Sequence, residues 1–245
     1  MPWLVPSIFS CLPPGWHPHE SLEVERLYSF VINDMPGRRG MTRFHLLYGN
    51  HQTLARTCHE VELLEAFESD VNSYVAQTCR TKFFVHAGVV EWKGNAIVIP
   101  GASRSGKTTL VNEFLRHGAS YCSDEFAIFD SRGYVLPFAR PLLIRHGNGR
   151  ERTRVRAEEV GSATVAHSLS VSLLLFTKYQ QRAEWKPRVM SAGAAAIGLL
   201  ANSVAARRQP ERALTILAKV SQRAVSLSGP RGEAVAVVEA VLSRW

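Results

Sequence analysis

The chain has 245 residues, 46% of them hydrophobic and 20% charged, with a formal net charge of +8. That length and balance suit one large core with a small appendage and exclude a low-complexity or disordered chain. No apolar run reaches the ~18 residues of a membrane span, and four cysteines (Cys11, Cys58, Cys79 and Cys122) without a C-x-x-C pair exclude a cysteine zinc site or a disulfide framework.

Reduced thiols, and apolar N-terminal residues with no basic stretch ahead of them, lead us to expect a cytoplasmic protein without a secretory leader. The positive charge favours anionic partners (nucleotide, acidic peptide or nucleic acid) without choosing among them.

Residues 1–58 read as a β-rich lead-in that begins irregularly, at Trp3, Pro6, Pro13, Pro14, Gly15, Trp16 and Pro18. Short β-type runs follow at Leu27–Ile32 and Thr42–Tyr48, separated by Met35-Pro36-Gly37. His17, His19, His45, His51 and His59 show no metal-ligand spacing. From Glu60 to Thr78, Leu63, Leu64, Phe67, Val71, Tyr74 and Val75 recur at helical intervals, which predicts an amphipathic helix. Residues 1–80 are therefore expected to form the lead-in plus this helix, and 81–245 the main domain.

The main domain opens with two predicted strands, Phe83–Val90 and Ala96–Ile99, joined by a turn at Lys93-Gly94-Asn95. Next comes Gly101-Ala102-Ser103-Arg104-Ser105-Gly106-Lys107-Thr108, a complete G-x-x-x-x-G-K-T phosphate loop, with Thr109 after it. A helix with Leu110, Val111, Phe114 and Leu115 inward runs to Gly118, and a strand at Ser120–Ser123 delivers Asp124 and Glu125.

The glycines permit a backbone that larger residues would block, so that N–H groups and the helix N-terminus face an anion. Lys107 is expected on the β and γ phosphates, and Thr108 offers its hydroxyl to Mg²⁺. Asp124 follows Lys107 by 17 residues, one helix and one strand later, which returns it to the loop. A carboxylate there can hold the metal or accept a proton from an attacking hydroxyl, with Glu125 doubling the charge.

Phe126–Asp130 and Tyr134–Pro137 read as a hairpin around Ser131-Arg132-Gly133. Arg140 and Arg145 flank a predicted strand, Pro141–Ile144, and either guanidinium suits the charge that develops on a transferring phosphoryl group. His146–Gly161 is expected to be a linker or mobile loop. On extended chain its Arg150, Arg152, Arg154 and Arg156 would share one face, able to dock an acidic or phosphate-bearing acceptor or simply solvated.

Leu169–Phe176 reads as a buried strand and Ser191–Ala206 as an alanine-rich helix with Ser191 as N-cap. Pro210 opens a helix to about Gln222, Ala224–Leu227 is a short strand, and Gly232–Arg244 is a last helix with Val235, Val238, Val241 and Leu242 on one side.

The stretch from Val85 to Arg145 resembles the catalytic domain of HPr serine kinase/phosphorylase, in its shorter HPr-kinase-related form that includes proteins of ribosomal-peptide tailoring; the match is specific over about Phe83–Arg145 and loose from there to the C-terminus. His86-Ala87-Gly88 stands where that family has a histidine-glycine pair before the phosphate loop, and Asp124-Glu125 where it has paired aspartates. The resemblance implies an α/β P-loop kinase fold of the HPr kinase/phosphoenolpyruvate carboxykinase type, a mixed sheet with flanking helices. It also implies an active-site role for His86. The family's E-[IV]-R-G-[LI]-G signature is absent, the region reading ARPLLIRHGNG, so dephosphorylation and HPr as substrate are not expected.

The combined expectation is an ATP- and Mg²⁺-dependent kinase acting on a hydroxyl, preferentially serine, of a protein or peptide. The alternatives are a small-molecule (amino acid or alcohol) kinase and a non-catalytic nucleotide-binding regulator. Neither membrane nor nucleic acid is an expected partner; a homo-oligomer stays open.

Overall fold

The computed structural model describes residues 4–33, 43–102, 105–146 and 151–245, and for 143–146 and 151–152 the backbone alone. The chain divides into two compact units, Met1–Val75 and Ala76–Trp245.

The first unit has a short helix α1 (Leu4–Ser10), three antiparallel strands β1 (Tyr28–Val31), β2 (His45–Gly49) and β3 (Gln52–Thr57) in sequential order, and helix α2 (Glu60–Thr78). Helical spacing puts Leu63, Phe67 and Val71 of α2 on one side, where they bury with Leu47 and Cys11. Tyr28 and Phe30 meet the Phe67 ring edge-on at 4.9 and 5.2 Å. An Arg26–Asp70 ion pair at 2.7 Å, joined by the Tyr28 hydroxyl, ties β1 to α2. The irregular start expected for this unit contains a helix: Pro6 falls in the first turn of α1, where a missing N–H costs nothing. β3 was also not expected.

The second unit carries an eight-stranded mixed sheet flanked by helices. Its strands are β4 (Phe83–Trp92), β5 (Asn95–Pro100), β6 (Ser120–Ser123), β7 (Phe126–Phe129), β8 (Val135–Leu136), β11 (Val171–Tyr179), β12 (Arg188–Val189) and β13 (Val225–Arg231). The order is β12-β13-β11-β5-β4-β7-β8, with β6 also on β4. β5, β11 and β13 are mutually parallel, while β4 and β12 run antiparallel to their neighbours. The C-terminal ends of the three parallel strands therefore reach one end of the sheet.

Strand alternation divides the core. Ala96 and Val98 of β5 and Leu174 of β11 face helices α4 (Ala192–Ala201) and α5 (Pro210–Arg223). Ile97, Ile99, Leu173 and Leu175 face α3 (Lys107–Arg116) and α6 (Ala234–Leu242). Among the described residues no helix is long and apolar enough to cross a membrane.

Several element expectations need correction. The segment read as a linker contains a strand, β10 (Glu151–Val155), paired antiparallel with β9 (Leu142–His146), and then a 3-10 turn at Ala157–Val160. Its ladder satisfies backbone groups that a loop would leave to water. Helix α4 is capped as expected, the Ser191 hydroxyl accepting from the Ala194 N–H at 3.2 Å, but it stops at Ala201. There Asn202 donates to the Gly198 carbonyl, and Ser203 and Val204 pair with β4 instead of continuing the helix. β11 starts at Val171 because Leu169 exchanges both backbone bonds with Val135. In α6, Ala234, Val237, Val238 and Val241 face inward, whereas Val235 is 44% exposed.

The β7–β8 hairpin has the expected turn. Asp130 accepts from the Arg132 and Tyr134 N–H groups at 2.9 Å each, and Gly133 has φ of 85°.

Candidate active site

The glycine-rich loop lies between the end of β5 and the start of α3. Gly106 caps α3 with φ of 87°, a left-handed conformation that a side chain would strain. A Cβ on Gly101 would come within 2.5 Å of the Ser105 hydroxyl, so a larger residue there would force that side chain to turn away. Lys107 is the first residue of α3, and its ammonium folds back to donate to the Ala102 carbonyl at 2.7 Å. Burial holds this ammonium below its ordinary pKa, against the opposing charges of Asp124 and Glu125. Thr109 is exposed on α3, and Ser103 and Arg104 lie outside the described residues.

Strand β4 brings the remaining parts together. Ala87 and Gly88 pair across to Pro100 and Ile99, at the mouth of the loop. The His86 carbonyl accepts from Gly101 N–H at 3.1 Å, and Ala87 N–H donates to the Glu125 carbonyl at 3.2 Å. The β6–β7 corner is turned by Ser123, whose buried hydroxyl accepts from Phe126 N–H at 3.2 Å. This corner places Asp124 against Thr108: the Thr108 hydroxyl donates to Asp124 Oδ2 at 2.7 Å.

The second oxygen, Oδ1, is buried without a hydrogen-bond partner among the described residues. Burial raises the Asp124 pKa to about 6, against the Thr108 hydrogen bond and the charge of Lys107. Glu125 is pushed up by burial and then by Asp124, with Lys107 opposing. Its Oε2 accepts from Arg140 Nη1 at 2.7 Å, and Arg140 is in turn positioned by the Tyr121 hydroxyl on its carbonyl.

His86 is exposed, with its ring 4.8 Å from that of Phe126. Partial desolvation and then Lys107 keep its pKa below the ordinary value, which favours neutral imidazole. Gly88 is required by packing: a Cβ there would meet Val111 Cγ2 at 2.5 Å, inside the core that seats α3. Gly88→Ala should cost about 1–3 kcal/mol by overpacking. Chemical denaturation would measure this, and an unchanged midpoint would show that α3 does not depend on this close approach.

The structure thus gathers His86, Gly101, Ala102, Ser105, Gly106, Lys107, Thr108, Asp124, Glu125 and Arg140 at one end of the sheet. Of the alternating arginines, Arg152 and Arg154 fall on the extended strand β10. Arg156 lies past the end of β10 and pairs with Glu159 at 2.9 Å, Arg150 lies outside the described residues, and of the other two only the exposed Arg154 has a described side chain. Arg145 is on β9, its side chain likewise outside the description.

A residue that sequence reasoning missed is Arg231, the last residue of β13. It is 2% exposed, and its Nη2 donates to the Gly106 carbonyl at 3.1 Å. The available signal was weak: an arginine in Gly229-Pro230-Arg231-Gly232, at the end of a strand and before a helix.

Among the described residues no three His, Cys, Asp or Glu side chains gather into a metal cage. Mg²⁺ does not need one, since it keeps waters and binds through one or two carboxylates plus substrate phosphates. The unpartnered Oδ1 of Asp124, beside the Thr108 hydroxyl, fits that demand. No protein-family model matches this chain, and no curated protein matches it significantly.

Proposed function

We propose that the chain is an ATP-dependent kinase of the HPr-kinase-like P-loop type, transferring the γ-phosphate to a serine-type hydroxyl of a protein or peptide. The observation that carries this reading is the part-buried Thr108–Asp124 hydrogen bond beside a glycine loop covered by Lys107. The sequence resemblance to HPr-kinase-related proteins supports the choice of a hydroxyl on a protein or peptide.

In this reading Gly101–Thr109 cradle the phosphate chain and Lys107 exchanges the Ala102 carbonyl for phosphate oxygens. Thr108 and Asp124 would hold Mg²⁺, which when bound neutralises phosphate charge. The acceptor oxygen forms a bond to the γ-phosphorus as the bond to the β–γ bridging oxygen breaks, and ADP leaves. The hydroxyl proton passes to the Asp124 carboxylate, which burial makes more basic than an ordinary aspartate in the metal-free chain. Glu125 holds Arg140 at the edge of the site, where its guanidinium can meet the charge on the transferring group. His86, held neutral, can donate a hydrogen bond to phosphate.

The test uses γ-labelled ATP, Mg²⁺ and a host-cell extract separated into protein, peptide and small-molecule fractions. Label in a protein or peptide is the expected result, as phosphoserine by mass spectrometry. Label only in a small molecule would replace the acceptor class. Tight nucleotide binding with no label in any fraction would sink transfer and leave a nucleotide-binding regulator.

A further inference from the structure

Arg231 is a buried cation that, among the described residues, touches no acid; the charge of Glu233, two residues on, acts on it from beyond ion-pair distance. Its Nη1 donates to the Gly232 carbonyl at 2.9 Å and its Nη2 to the Gly106 carbonyl at 3.1 Å, but its Nε is buried with no hydrogen-bond partner among the described residues. Among the described residues no carboxylate lies within ion-pair distance of it. The Tyr179 ring, at the end of β11, lies 5.5 Å from the guanidinium carbon.

A guanidinium cannot shed its proton, so burial with no carboxylate in contact leaves its charge answered only from a distance, by Glu233. Carbonyl contacts satisfy two N–H groups but supply no negative charge. The place suits an anion, and the phosphate loop is in contact with it.

Topology makes this placement more than proximity. β5, β11 and β13 run parallel, so their C-terminal ends deliver the phosphate loop, Tyr179 and Arg231 to one edge of the sheet. That edge is where open α/β sheets bind ligands. Gly106 leaves room for the guanidinium: a Cβ there would overlap Nη2 of Arg231. The second glycine of the loop motif therefore serves both the left-handed turn and the approach of Arg231.

We infer that Arg231 is a phosphate-reading residue of this site, whose Nε edge takes an oxygen of the polyphosphate chain held by the loop and sets the preference for nucleoside di- and triphosphates over monophosphates. This rests on the nucleotide-binding reading above, and a fork of N–H donors suits phosphate oxygens better than the point charge of Lys107 does.

The experiment is a competition titration of ATP, ADP and AMP, with Mg²⁺, on the full chain and on Arg231→Met and Arg231→Lys. Arg231→Met should weaken ATP and ADP by about 10- to 100-fold while AMP changes by less than about 3-fold. Arg231→Lys keeps the charge but loses the fork, so its ATP-to-AMP affinity ratio should fall between those of Met and wild type.

Equal losses for all three nucleotides would make Arg231 a brace of the Gly106 carbonyl and overturn the inference. So would an unchanged ratio in both variants. If Arg231→Met does not fold, the ratio in Arg231→Lys decides alone. A wild-type chain that binds none of the three would overturn the nucleotide reading itself, an outcome distinct from selective failure of the variants.

Discussion

Asp124→Asn should bind Mg²⁺-free nucleotide about as well as the wild type and transfer phosphate at least about a thousandfold more slowly, within the range that loss of a positioned base and its electrostatics can account for. Asparagine still offers an oxygen to the Thr108 hydroxyl, so the loop should keep its shape. It cannot take a proton from an acceptor, and it supplies no negative charge for a metal at the unpartnered Oδ1 position. Transfer surviving near the wild-type rate would remove Asp124 from the role of base.

The same substitution should stabilise the fold in metal-free buffer. Asp124 has a folded pKa of about 6, above its ordinary 3.8, so the folded chain holds this proton more tightly than the unfolded chain does. Its burial is therefore tolerated below about pH 4, and stability is lost as pH rises from there through about 6. Above that window Asp124→Asn should be more stable, by on the order of 2–3 kcal/mol. Below pH 4 the two proteins should converge. Urea titrations at pH 4 and pH 7.5 measure both limits, and a difference independent of pH would mean that the carboxyl is not strained by burial.

How far the sequence led can be judged residue by residue. Local rules carried the parts governed by near neighbours. Gly101, Gly106, Lys107 and Thr108 stand at fixed spacings between a strand and a helix, and the structure supplies that strand and helix. Helix α2 spans the predicted Glu60–Thr78, and β6 the predicted Ser120–Ser123. The Thr108–Asp124 contact was within reach because one helix and one short strand return the chain to the loop.

What stayed hidden depends on pairing between distant segments. Arg231 meets Gly106 across 125 residues, and only the parallel register of β13, β11 and β5 brings them together. The β9–β10 hairpin was legible in principle: Asn148-Gly149 between two β-type runs is a strong hairpin signal. Arg150, Arg152, Arg154 and Arg156 hide the apolar alternation by which a strand is read. The early end of α4 could not be read from alanine content, because the backbone of Ser203 and Val204 is claimed by β4, more than 100 residues earlier.

Lys107→Ala should abolish productive use of ATP, lowering kcat/KM by about 100-fold or more. The Lys107 ammonium is partly desolvated and, among the described residues, is held by the Ala102 carbonyl and the fields of Asp124 and Glu125. A triphosphate offers it a stronger partner than a neutral carbonyl, so much of its cost in the free protein is recovered on binding.

Loss of activity alone would not separate this role from a damaged loop, but the charge network does. Lys107 lowers the pKa of Asp124, Glu125 and His86 together. Its removal should therefore shift all three upward: the carboxyls lose a cation that favoured their ionised form, and the imidazole loses a cation that opposed its protonation. NMR titration of His86 in Lys107→Ala and in Lys107→Arg checks this, the arginine variant keeping the charge and so a near wild-type His86 titration. Unchanged ATP turnover in Lys107→Ala would overturn the loop assignment. Lost turnover with an unshifted His86 would place Lys107 away from the histidine and count against the site as a single electrostatic unit.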